Sequence, residues 1–146
     1  MNAIFVIGAF LAGAVLPLQT LINGRLAALY GTPVLAGATS FQVGAAVLFA
    51  CHFLFRSPGS TARLSEAPTW IWAGGLLGAV YMAAVIASIP KLGAASMISL
   101  VVLGQVCASI LLDHYGVLSM SAHPVSPARL GGAVLVLAGV WLVTHR

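Results

Sequence analysis

The sequence predicts an all-α transmembrane protein, a five-helix bundle that pairs as an antiparallel dimer into a ten-helix inverted-repeat assembly. Two observations carry the bundle and a third carries the pairing. Only 5% of the 146 residues are charged while 61% are hydrophobic; a soluble domain carries about 25% charged residues. There is too little polar surface to face water, so most of the chain takes lipid as its solvent. Five apolar runs are each long enough to cross a bilayer, which needs roughly 17–25 mostly apolar residues. Finally, the Lys and Arg residues divide evenly between the two sides that five crossings define.

The first span is expected over residues 3–23, with Pro17 inside it. No Lys or Arg precedes Arg25, so the segment lacks the basic start of a secretory signal and is read as a retained span. Gly31-Thr32-Pro33 is turn-like, and the second span follows over 34–55. Residues 56–68 form the one long polar loop before a third span over 69–88. Pro90-Lys91-Leu92-Gly93 is read as a tight turn, because Pro stops the incoming helix and Gly relaxes the next entry. A fourth span is expected over 92–112 and a fifth over 127–144. Ser126-Pro127 supplies the fifth with an N-cap and a first-turn proline.

Small residues recur at helical spacing: Gly74 with Gly78, Ala9 with Gly13, Gly104 with Ala108, Ala128 with Gly132. Lipid gives helices no hydrophobic reason to associate, so close approach through small residues is what packs them. Trp70, Trp72 and Trp141 lie near span ends, where aromatic side chains anchor at the interface. Cys51 and Cys107 sit in apolar runs without metal or disulfide spacing and read as small hydrophobes. No basic stripe suggests nucleic-acid binding, and neither a cofactor nor a metal is expected.

Orientation in a membrane follows an excess of Lys and Arg on the cytoplasmic side. Here Arg56, Arg63 and Arg129 fall on one side, and Arg25, Lys91 and Arg146 on the other. The balance predicts dual topology. With an odd number of spans, two oppositely inserted copies are related by a pseudo-two-fold axis in the membrane plane, the plan of many secondary transporters.

A set of ordered motifs points the same way: Gly13, Pro17-Leu18-Gln19 and Asn23; Gly31-Thr32-Pro33; Ser40-Phe41-Gln42-Val43-Gly44; Gly74 through Tyr81; Pro90 through Ala94; Gly104-Gln105; Ser109 through Gly116; then Arg129, Gly132 and Gly139-Val140. Together, over nearly the whole chain, they resemble the short five-span YdcZ-type branch of the drug/metabolite transporter superfamily. The resemblance implies a bacterial inner-membrane protein, kin to ten-span transporters that carry two such units in one chain. It implies no substrate. Small multidrug-resistance proteins, a four-span cousin, depend on a glutamate in the first helix, and the first span here has no acid.

Polar groups at membrane depth are expensive and mark pathways. Gln19 and Asn23, one helical turn apart, share a face of the first span; Gln42 lies in the first part of the second. Gln105, Ser109 and Asp113 follow i, i+4, i+8 along the fourth. The expected substrate pathway is therefore Gln19, Asn23, Gln42, Gln105 and Ser109, with Gln105 at the midplane. Asp113 and His114 lie at the interface end of the fourth span. In an inverted pair, Asp113 of one copy shares a side with Arg25 of the other, so Asp113, His114 and Arg25 are expected to form a gate or dimer contact. The predicted function is small-molecule transport, as an exporter, by alternating access in an antiparallel homodimer. The alternative is a non-transporting membrane subunit that assembles with another membrane protein or a five-span paralogue. An enzyme is not expected, since no nucleophile, base and orienting group can be assembled.

Overall fold

The computed structural model describes residues 2–55, 67–116 and 123–145. Arg56, Arg63 and Arg146, counted in the charge balance, lie outside the described residues, as does Glu66. The described chain is all helical: α1 (Ala3–Tyr30), α2 (Pro33–Leu54), a 3-10 turn (Thr69–Trp72), α3 (Ala73–Leu92), α4 (Ala94–Tyr115) and α5 (Pro127–Thr144). Five helices, the third counted with its 3-10 lead-in, are long and apolar enough to cross a membrane. The chain divides into two compact units, Met1–Pro90 and Lys91–Arg146.

In the first unit, α1 begins with the Asn2 side chain accepting from the Ile4 N–H at 3.4 Å. It continues beyond Asn23 to Tyr30, because nothing in Leu26-Ala27-Ala28-Leu29 breaks a helix, and it closes on Gly31 in the left-handed conformation, φ 72°. Arg25 therefore lies within the helix rather than after it. Thr32 caps α2 through its hydroxyl, which accepts from the Val34 N–H at 3.3 Å, and Pro33 fills the first turn, where a missing N–H costs nothing. The two-residue link makes α1 and α2 packed neighbours, and the Thr39 hydroxyl donates to the Tyr30 hydroxyl at 3.3 Å.

The core of this unit is Ala36, Met82 and Ile86, with Leu26 and Ala27 against it. Gly37 of α2 lies against the core side chains of α3. A Cβ there would lie 3.2 Å from Met82 Cγ and 3.9 Å from Ile86 Cδ1, so a side chain could enter only by displacing the core methionine. The third helix differs from expectation at its end. Pro90 lies inside α3, which runs on to Leu92. Pro cannot donate to the Ile86 carbonyl, but in the last turn this costs a single bond and the helix survives it. Gly93 makes the turn instead, at φ 75° and ψ 158°.

In the second unit, α4 and α5 pack side by side, and Met97 and Val140 are buried. Ser126 caps α5 as expected, its hydroxyl accepting from the Arg129 N–H at 3.3 Å. Across the described residues only six hydrophobic side chains are buried, so the helices present most of their apolar surface outward. The small-residue motifs follow suit. Gly13, Gly74, Gly104 and Gly132 have no neighbour that a Cβ would meet, whereas Gly78 faces Phe41, whose Cζ would lie 3.7 Å away.

Candidate functional site

Gln42 and Gln105 sit within about 2 Å, along the axis, of the centres of α2 and α4 at a rise of about 1.5 Å per residue. Gln42 thus lies deeper than the first part of its helix. Gln19 is about 4 Å from the centre of the longer α1 by the same rise. These three are the only glutamines in the chain, and all are exposed. None of their amides has a partner among the described residues. Burying such an amide in an apolar medium without a hydrogen bond costs roughly 2–7 kcal/mol, so these groups do not belong against lipid tails.

Asn23 goes elsewhere. It is buried, and its Nδ2 donates to Met82 Sδ of α3 at 3.5 Å, which places it inside the first unit while its i−4 neighbour Gln19 is exposed. Thr20, also buried, donates to the Leu16 carbonyl at 2.7 Å. Ser109 is exposed and bonds its own helix, donating to the Val106 carbonyl at 3.0 Å. The i, i+4, i+8 face of α4 therefore carries one unpartnered group, Gln105, followed by two that are satisfied.

At the end of α4, Arg129 Nη1 of α5 lies 3.1 Å from Asp113 Oδ2. That nitrogen is buried without a hydrogen-bond partner, so the approach is an ion pair whose angle falls outside hydrogen-bond geometry. Gly116 closes α4 in the left-handed conformation, φ 58°. The Asp113 carbonyl accepts both from the Gly116 N–H at 3.3 Å and from the His123 N–H at 2.8 Å. His114 Nδ1 accepts from the Val125 N–H at 3.3 Å. Asp113 and His114 thereby clasp the start of the α5 segment, and Arg25 is exposed on α1.

Because each partner is about a third exposed, the ion pair is worth at most about 1 kcal/mol. Asp113→Asn is expected to lower the melting temperature in detergent by only a few degrees and leave the substrate KM unchanged. A KM shift of tenfold or more would place Asp113 in the substrate path instead.

Sequence reasoning missed two residues here. Arg129 stands out in the sequence as a topology charge and a motif position, and its pairing with Asp113 joins two helices at a separation that spacing does not encode. Tyr81 lies at the centre of α3, 40% exposed and without a partner for its hydroxyl among the described residues. Its position between Gly78 and the helix end was the available signal. Among the described residues no group of His, Cys, Asp and Glu could hold a metal ion.

Five membrane-length helices, with neutral polar groups at the middles of four of them, make this a polytopic membrane protein. The family model described as "Putative inner membrane exporter, YdcZ" matches residues 4–142, and the chain belongs to that family. It is thus a multi-pass inner-membrane protein. It is 31% identical over 142 residues to "Inner membrane protein YdcZ" of Escherichia coli (strain K12), covering 92% of this chain and 91% of that one. No solved structure matches.

Proposed function

We propose that the chain exports a small molecule as a dual-topology antiparallel homodimer, by alternating access between two oppositely inserted copies. The observation that carries this reading is the set of unpartnered amides of Gln19, Gln42 and Gln105. Each unit by itself, surrounded by lipid, would leave its amides unsatisfied, whereas a second copy enclosing a water-filled path would satisfy them. The glycines of α1, α4 and α5 whose Cβ positions meet nothing support it, since small residues left against lipid serve no packing purpose and small residues against a second copy do. So does the even division of basic residues. In this arrangement Asn23 holds α1 to α3 rather than touching substrate, and Ser109 is a packing residue. Asp113 and His114 keep α4 and α5 joined at the membrane surface, where Arg25 of the inverted copy comes to the same side and completes a gate.

The test is flux into or out of liposomes that contain only this chain, paired with reporters fused to its carboxyl end in cells. Solute movement at least tenfold above empty liposomes is expected, with reporter signal on both sides of the membrane. Signal on one side alone would remove dual topology from the reading. Absence of flux together with a stable hetero-partner on purification would make the chain a non-transporting subunit.

A further inference from the structure

The polar groups at the middles of the helices have one property in common. Gln19, Gln42, Tyr81 and Gln105 are all uncharged, and each can both donate and accept a hydrogen bond. The ionic groups of the helices lie elsewhere. Lys91 stands in the last turn of α3, Arg129 in the first turn of α5, and Arg25 near the carboxyl end of α1. Asp113 lies in the last turn of α4, already paired with Arg129. The only other acid in the sequence, Glu66, precedes the 3-10 turn that leads into α3.

Selection of a cation is strongest where a carboxylate lies at depth, and of an anion where a buried cation or a helix N-terminus does. Each unit instead offers neutral donor-acceptor groups at mid-helix. Moving a proton across by a titrating side chain likewise needs a group that gains and loses charge near neutral pH; the histidines of the helices, His52 and His114, stand in the last turns of α2 and α4 and not at their middles.

We propose, resting on the transporter reading above, that the solute is an uncharged, hydrogen-bonding molecule of the hydroxyl- or amide-bearing kind, and that its movement is not coupled to protons. Recognition comes from amide–hydroxyl and amide–amide bonds that replace water in the path, where an unmade bond is costly. A charged solute would meet no countercharge at the helix middles to offset the hydration it gives up there.

The experiment uses the full chain in proteoliposomes and three labelled solute panels. The neutral panel is a hexitol, a nucleoside and an N-acetylated amino sugar; the anionic one, a dicarboxylate and a sugar phosphate; the cationic one, a polyamine and a quaternary ammonium ion. Flux of at least one neutral solute is expected, varying less than twofold between pH 6 and 8 and unaffected by a protonophore. Gln42→Leu and Gln105→Leu should each reduce it tenfold or more. Gln105→Glu should make it pH-dependent, because that change installs a titrating group in the path; a purely structural amide would give no such profile. Flux confined to charged solutes, or flux driven by an imposed pH gradient, overturns this proposal while leaving the transporter reading intact. Absence of flux for all three panels overturns both.

Discussion

A chain forced into one orientation is expected to lose at least nine-tenths of its transport, and to regain it when mixed with a chain forced into the other. Ser60→Lys with Ser65→Lys adds two positive charges to the segment between α2 and α3. Two lysines appended after Arg146 add the same to the opposite side. Because three basic residues presently face three, two more decide the orientation of short-looped spans. Each variant alone then forms only parallel-oriented copies, whose inner faces cannot meet in an inverted repeat. Co-expression restores the antiparallel pair. The measurement is flux or efflux from cells expressing either variant alone and both together, with carboxyl-end reporters confirming each orientation. Full activity of either fixed variant by itself would show that one orientation suffices, and would end the antiparallel model.

Gly93→Val is expected to give the largest loss of stability of any single substitution outside the buried core. Gly93 alone links α3 to α4, at φ 75° and ψ 158°, a region almost restricted to glycine and costing other residues about 1–3 kcal/mol. Its carbonyl also accepts the first bond of α4, from the Met97 N–H at 3.1 Å, so shifting φ to a negative value misdirects the helix that follows. At roughly 2–4 °C per kcal/mol for a chain of this size, the melting temperature in detergent should fall by roughly 2–12 °C. Gly93→Ala should fall by less, because it lacks the branched carbon. Gly104→Ala, at a position with no neighbour for a Cβ, should not move it. Equal melting temperatures for Gly93→Val and the parent would mean that the turn readily adopts another conformation.

The fold was legible in the sequence wherever one physical constraint dominates. Apolar length, the Ser126-Pro127 start and the turn at Gly31 each follow from a rule with little competition: five membrane-length helices form, Ser126 caps the fifth and Gly31 closes the first. Pro90 was misread because the rule for prolines concerns helix interiors, and in the final turn the cost of a lost bond falls below the benefit of continuing to Gly93. Arg25 was placed after the first helix for a related reason: a membrane span need not end where its helix does. At the site, mid-helix placement was legible for Gln105, since position along an uninterrupted apolar run gives depth directly. What each side chain meets was not. Asn23 and Gln19 share a face by spacing, yet a rotation of about 40° between i and i+4 at 3.6 residues per turn is enough to bury one against Met82 and leave the other open. Nor did spacing hold any sign that Asp113 would find Arg129 across a loop.

The helices differ in length, and that difference bears on the membrane itself. At a rise of about 1.5 Å per residue, α1 with 28 residues measures about 42 Å, and α5 with 18 residues about 27 Å. A hydrocarbon layer about 30 Å thick is exceeded by the first and not quite filled by the second. The long helix accommodates by tilting or by lifting its carboxyl turns, with Arg25, into the headgroups. A span as short as α5 is met by thinning of the bilayer, by snorkelling flanks or by association with other helices, and Arg129 and Trp141 stand near its two ends. One chain therefore carries two crossing lengths that a single hydrocarbon thickness does not match at once.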